Sequence, residues 1–515
     1  MAWPWSSDLF PWITSFFAVL LFFKFLLKFK NASSKSKQLP PGPPGWPIIG
    51  NMLDLGEVPH QTLQNLQTKY GPVIWLRLGA INTMVVQSAE AAAELFKKCD
   101  LPFADRKVPD SLTALDYYQG SVAIGHYGDY WRKLRRICTT EFLVHKRINA
   151  SIALRQKCID NLIEWIKQDA EKERKNGGSG EIELDRFLFV TAFNVIGNLM
   201  LSRDVMDAKL EKASEFFDLF LVFMEWTGKP NLADFLPFLK WFDPQRIRRN
   251  SEKYLERLLE IAGGIVKDRI KEKQSGVEKK THDFLDALLD DEGDHNAQGP
   301  DKLTEKNITI VLLEMFFGGT ETTSSTIEWG MSQLLRNPDS MKKLQDEIDR
   351  VVGRDRKVVE SDLNNLPYLQ ATVKEILRLN PVFPMLLPRN SMQDTEFMGY
   401  VVPKNTQIFV NAWAIHRDPA SWVDPLSFKP ERFLDSDIDY KGQHFELLPF
   451  GSGRRTCIGL TLGHRMVCLT LASLVQAFDW SLKKGIKPES LDMSEKVGLT
   501  MRKMVPLKVI PTPRE

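Results

Sequence analysis

Cysteine is scarce, with five in 515 residues, and Cys99, Cys138, Cys158, Cys457 and Cys468 show neither the paired spacing of a zinc site nor the density of a small disulfide-framed domain. A reduced compartment fits that usage, and most of these thiols read as small buried hydrophobes. Net charge is also scarce: 68 Lys and Arg stand against 66 Asp and Glu, so no global field attracts nucleic acid and any basic partner site must be local. No G-x-G-x-x-G unit opens a βαβ pattern, and no repeat of solenoid or propeller period is present, which excludes an in-chain dinucleotide module and a repeat array. The remaining composition, 43% hydrophobic and 26% charged, is that of an ordinary globular protein.

One long apolar run stands out against this. Leu9 to Leu27, LFPWITSFFAVLLFFKFLL, is interrupted only by Pro11 and Lys24 and approaches the ~20 residues of a membrane-spanning helix. Trp3, Trp5 and Trp12 suit one interface, while Lys24, Lys28, Lys30, Lys35 and Lys37 crowd the other and place the C-terminal body in the cytosol. A basic n-region and a small-residue cleavage site, the marks of a removable signal peptide, are missing. Residues 1–30 therefore read as a single-pass anchor. Residues 31–51 read as a basic, Pro-rich hinge ending in LPPGPPGWPIIGN, stiff because proline fixes φ and lacks a donor. With the body cytosolic, the sequons at Asn31, Asn149 and Asn307 are fortuitous.

Residues 52–515 read as one domain, mostly α with a minor β part. Two β-rich runs between Tyr70 and Ser88 flank Gly79-Ala80-Ile81-Asn82 as a hairpin, and an Ala- and Glu-rich helix starts at Ala89. Helical periodicity follows over Gly128–Arg136, Asn149–Lys175, Lys209–Trp226, Pro244–Glu272, Thr304–Arg336, Pro338–Val352 and Leu366–Leu379. Asn176–Gly180 and Asp290–Asp301 read as solvated loops.

One cysteine departs from the bland reading. Phe450–Gly459, FGSGRRTCIG, precedes a strongly apolar helical run, so Cys457 sits where free backbone N–H groups and the positive helix end favour a thiolate. Gly451, Gly453 and Gly459 remove Cβ atoms where a flat macrocycle would lie against backbone, and Arg455 offers a fixed cation for its acidic groups. Phe450, Gly453, Arg455, Cys457 and Gly459 match every defined position of F-x-x-G-x-R-x-C-x-G, and the segment resembles the haem-binding loop of the cytochromes P450. That resemblance implies Cys457 as axial ligand of the iron of haem b.

Further segments carry the same likeness. Glu375 and Arg378 in KEILRLNP share one helix face. They are similar to the family's E-x-x-R, which implies a buried structural triad with Arg432 of FKPERF. Asn380 stands where the family often has His. Trp131 and Arg135 match W-x-x-x-R, which implies contacts to a haem propionate, and Arg389 matches a further propionate contact of related plant enzymes. In FFGGTETTSS, Gly318 and Gly319 each cost ~1 kcal/mol of helix propensity relative to Ala, and a notch for dioxygen is the expected return. Glu321 and Thr322 place an acid beside a hydroxyl, and the resemblance implies proton relay and hydrogen bonding to bound O2.

The likeness spans nearly the whole chain. It implies the P450 fold and monooxygenation with O2 as co-substrate, with electrons from NADPH arriving through a separate NADPH-cytochrome P450 reductase. Cytochrome b5 is a second candidate donor, and the endoplasmic reticulum membrane is the expected location. The basic run Arg132, Lys133, Arg135 and Arg136 suits an acidic flavoprotein surface. Overall wording resembles plant enzymes that oxidise geraniol and iridoids. Family topology then expects a small apolar terpenoid to meet the regions 112–124, 217–226, 313–318 and 382–387, with Phe316, Phe317, Gly318, Val382, Met385 and Leu386 in the pocket. An aromatic alkaloid or flavonoid substrate, and a reductase-independent isomerase or dehydratase, are the competing readings.

Overall fold

The computed structural model describes residue 16 and residues 39–206, 215–275, 282–291 and 302–514. The anchor expected over residues 1–30 lies outside the described residues, Phe16 apart, and so does the start of the hinge.

The helices begin where local chemistry caps them. α1 (Pro59–Tyr70) opens on proline, the hairpin strands β1 (Val73–Leu78) and β2 (Ile81–Val86) follow, and Ser88 Oγ accepts the Ala91 N–H to start α2 (Ala89–Lys97). Next come α3 (Asp129–Ile137), α4 (Ile152–Lys175), α5 (Leu184–Leu201), α6 (Glu215–Gly228) and α7 (Ile247–Gln274). The long α8 (Glu305–Arg336) starts on a reciprocal cap between Thr304 and Asn307. It is followed by α9 (Pro338–Val351), α10 (Pro367–Leu379), the short strands β3 (Arg389–Asn390) and β4 (Gln407–Val410), and α11 (Leu460–Ala477). The sheet order is β1-β2-β4-β3, antiparallel except for the parallel β2/β4 pair.

The hairpin turn is tighter than the sequence suggests. Leu78 pairs with Ile81, leaving Gly79-Ala80 as a two-residue loop with Gly79 at φ 58. The helices expected from periodicity recur within a few residues, except that Asn149–Lys175 breaks at Ser151 into two helices and the start of the Lys209–Trp226 segment lies outside the described residues.

α1 was not anticipated, and neither were two further features. α5 is buried almost all round between α4 and α8, so it shows no amphipathic period to read. It and α11 are long and apolar enough to cross a membrane, but both are mostly buried in the core. The Pro-rich segment is laid on the sheet as well. Trp75 N–H donates to Pro41 O and Asn51 N–H to Arg77 O, and a Cβ on Gly42 would stand 1.8 Å from the Trp75 oxygen.

Candidate active site

The N-terminal end of α11 carries the cysteine loop. Cys457 N–H donates to Phe450 O at 3.0 Å, closing a turn in which Gly451 and Gly453 adopt φ 67 and 71. A Cβ on Gly453 would also lie 2.3 Å from Asp100 Oδ1, and Gly453 does not line the cavity. Its glycine answers to the turn and to Asp100, which corrects the expectation that it clears space for a macrocycle. Cys457, Phe450 and Gly459 do line the cavity, an enclosure of about 300 Å³.

Enclosure raises the Cys457 thiol above its ordinary pKa, against the pull of the Gly459 and Leu460 N–H groups and of Arg135. Cys457 is nonetheless exposed to the cavity, where a bound cation would favour its thiolate. Burial also pushes up the other thiols, Cys158 to about 12, and leaves them inert.

Four guanidiniums converge on this cavity: Arg106, Arg135, Arg389 and Arg455. Arg455 donates to Ala104 O at 2.8 Å and Gly125 O at 2.7 Å, Arg106 to Ala123 O at 3.0 Å and Leu387 O at 2.5 Å, and Arg135 to Thr456 O at 2.6 Å. Those partners are carbonyls, not carboxylates. Arg389 alone has an acid at contact, Asp100 at 2.7 Å. Burial lowers all four pKa values and brings Arg455 down to about 9; neighbouring arginines add to the shift at Arg106, Arg135 and Arg455, whereas Asp100 opposes it at Arg389. Trp131 lies under Arg455, 3.9 Å from ring centroid to guanidinium, and its indole N–H donates to Val122 O at 2.8 Å. It is therefore a platform for the arginines and lies outside the cavity lining.

α8 supplies the opposite wall with Met315, Gly318, Gly319, Thr322, Thr323 and Thr326. Thr322 Oγ1 donates to Gly318 O at 2.7 Å. The two glycines differ: a Cβ on Gly318 meets nothing within 4 Å, whereas one on Gly319 would stand 2.5 Å from Ile196 Cδ1 of α5. Glu321 does not line the cavity. It pairs with Arg502 at 3.0 Å on the helix flank, where burial raises its pKa against Arg502 and the Thr500 hydroxyl.

The remaining assignments divide. Glu375 and Arg378, both fully buried, pair at 2.7 Å, and Arg432 Nε reaches Glu375 at 3.1 Å. Val382, Leu386 and Gly318 line the cavity. Phe316, Phe317 and Met385 do not. Phe316 stacks on Phe193 at 4.5 Å and Phe317 meets Phe220 at 4.7 Å, both turned toward α5 and α6, while Met385 packs against the separate apolar cluster that includes Ile74 and Leu76. In the basic run of α3, Lys133 pairs with Asp291 at 2.8 Å and Arg135 faces the cavity, so those two are not free for a docking partner.

Residues 40–508 match the family described as Cytochrome P450. The chain belongs to that family. This cytochrome P450 is 57% identical over 485 residues to the iridoid oxidase of Catharanthus roseus, covering 94% of each chain. It is 50% identical to Cytochrome P450 76A2 of Solanum melongena, with 99% of each covered, and 43% identical to the geraniol 8-hydroxylase of Swertia mussotii, with 93% and 95% covered.

As a cytochrome P450 monooxygenase it uses haem iron, O2 and NADPH-derived electrons passed through a reductase. The cavity suits such a group: a sulfur at a helix end shares it with Arg106, Arg135 and Arg455, which have no carboxylate in contact, and a porphyrin carrying two propionates would supply that charge. Among the lining residues that sequence reasoning missed are two charged ones, Arg106 and the buried Glu314. Glu314 sits one and two helical steps of four before Gly318 and Thr322, a spacing that would have placed it on the same face.

Proposed function

We propose that this cytochrome P450 hydroxylates or further oxidises a small apolar monoterpenoid or iridoid. The observation that carries the reading is the apolar cavity between Cys457 and Thr322, walled by Val382, Leu386 and Gly318, in a chain whose relatives bear the names iridoid oxidase and geraniol 8-hydroxylase.

In this reading Cys457 ligates the iron, and Arg106, Arg135, Arg389 and Arg455 hold the propionates, with Trp131 stacked beneath Arg455. The haem supplies oxygen activation, and the protein positions, protonates and excludes water. Thr322 lines the cavity and donates its hydroxyl to Gly318 O, a bond it would give up to donate into the cavity. Glu321 holds a proton more readily than an exposed glutamate does, and transfer to Thr322 requires its side chain to leave Arg502 and swing around the helix. The Glu375–Arg378–Arg432 cluster ties α10 to the chain around residues 423–432, supporting the cysteine side without touching substrate.

Residues 1–30 anchor the protein in the endoplasmic reticulum membrane with the body in the cytosol, and cytochrome b5 is a second donor beside the reductase; the apolar run and lysine flank of the sequence support the anchor. Turnover of monoterpenols, iridoids, alkaloids and flavonoids by membranes carrying this protein and a plant reductase tests the reading. An NADPH-dependent terpenoid product is expected. Activity confined to an aromatic alkaloid or flavonoid would keep the chemistry and discard the substrate class.

A further inference from the structure

Glu314 is a buried acid on α8 that the chemistry above does not use. It lines the cavity, four residues before Gly318, yet its oxygens are directed at backbone of the facing segment. Val122 N–H donates to Oε2 at 2.5 Å, Ala123 N–H to Oε1 at 3.3 Å, and the Ser121 hydroxyl donates to Oε1 as well. Ser121 Oγ also accepts the Ile124 N–H at 2.9 Å, tightening the same turn. Burial raises the Glu314 pKa, and these donors together with Arg455 oppose the shift.

The other side of that segment is held by an indole and two guanidiniums. Val122 O accepts from Trp131 at 2.8 Å, Ala123 O from Arg106 at 3.0 Å, and Gly125 O from Arg455 at 2.7 Å. Within residues 121–125 the Val122 and Ala123 N–H groups thus end on the acid of α8, while the Ala123 and Gly125 carbonyls end on arginines and the Val122 carbonyl on the Trp131 indole. Val122 and Ala123 themselves form cavity wall.

We propose that Glu314 is a positioning residue that fixes the 121–125 wall against α8, so that substrate orientation depends on it while haem ligation does not. The inference deepens the monooxygenase reading, but it requires no particular terpenoid. Charge-assisted bonds to buried N–H groups are the strong kind, and deleting their acceptor leaves those donors without a partner. The segment then keeps its carbonyl bonds and the local bonds of Ser121 but loses its tie to α8, and the wall opens into the cavity.

The test uses the full-length protein in membranes or detergent, with Glu314→Ala and Glu314→Gln. Gln keeps one acceptor oxygen but presents an N–H2 where a second acceptor stood, so its effects should fall between wild type and Ala. Both variants are expected to keep the ferrous–CO spectrum of the wild type. Amide hydrogen exchange at Val122 and Ala123 should accelerate, while Val85 and Val86 in the sheet keep their protection. Binding of phenylimidazole, a probe independent of substrate class, should weaken by roughly tenfold in the alanine variant, the loss expected from about 1.4 kcal/mol. Product ratio on geraniol should shift, with more NADPH consumed per product. Unchanged exchange at Val122 and Ala123 together with unchanged phenylimidazole affinity would overturn the proposal, and so would a general loss of protection that includes the sheet. If the alanine variant does not take up haem, the glutamine variant decides by the same readouts. Inactivity of geraniol itself would count against the substrate class and leave the exchange and phenylimidazole results to judge Glu314.

Discussion

At the scale of single residues, what was legible is what lies in one window of sequence. FGSGRRTCIG placed Cys457, Phe450 and Gly459 on the cavity wall because a turn and the start of α11 keep them adjacent. Residues whose partners are distant carbonyls were silent: nothing near Arg106 announces Ala123 and Leu387, nor anything near Glu314 the amides of Val122 and Ala123. Phe316 and Phe317 were misplaced for a different reason. Apolar character does not distinguish a pocket from a core, but the helical step from Thr322 back to Gly318 and Glu314 turns both rings to the opposite side.

The paired glycines give a sharp prediction at this scale. Gly318→Ala should fold as well as wild type or better, by up to ~1 kcal/mol of helix propensity, and should alter product ratio by narrowing the cavity. Gly319→Ala should lose ~1–3 kcal/mol through overpacking on Ile196, and Ile196→Val in the same chain should restore part of it; urea unfolding of the variants measures both. Equal effects of the two alanines would contradict the distinction drawn from the contact with Ile196.

At the scale of elements, α8 is gripped along its length by groups that titrate or ionise. Glu328, three-quarters along, accepts the Leu507 N–H at 2.9 Å, and burial, with Asp185 adding to it, lifts its pKa to about 7 against Lys503 and Arg502. A carboxyl whose pKa is raised by folding binds its proton more tightly in the native state, so its contribution is full below the ordinary glutamate range and is lost as pH rises toward about 7. Glu328→Gln keeps the acceptor and removes the titration. Its stability relative to wild type should therefore increase between pH 5 and pH 8 by ~2–3 kcal/mol, read from urea midpoints at the two pH values. A constant difference would show that Glu328 does not titrate in that window.

The Glu375–Arg378 pair, by contrast, is fully buried and satisfied by further carbonyls, including His416 O and Pro425 O at 2.7 Å each. Removing one partner, as in Arg378→Leu, should cost ~3–5 kcal/mol because the remaining charge stays buried, seen as a fall in unfolding midpoint and in the yield of haem-loaded protein. Its spacing was legible in the sequence. The burial that makes it matter was not.

At the scale of the whole molecule, the arrangement separates two tasks. In the proposed reading the cysteine loop and the four arginines serve the cofactor, and α8 with the 382–387 segment, Val122 and Ala123 walls the remaining space. The fold class and most helices followed from periodicity; α5 did not, because a helix buried on every side has no polar face to mark its period. The hinge was read as a stiff, non-helical connector, and its described part is in addition hydrogen-bonded along β1, which the sequence did not announce. The central claim is that one sulfur, at Cys457, ligates the iron of this monooxygenase. The ferrous–CO difference spectrum of wild type and Cys457→Ser tests it most directly: the wild type should give the thiolate-type Soret band and the variant should lose it, whereas a variant that keeps that band would place the ligand elsewhere.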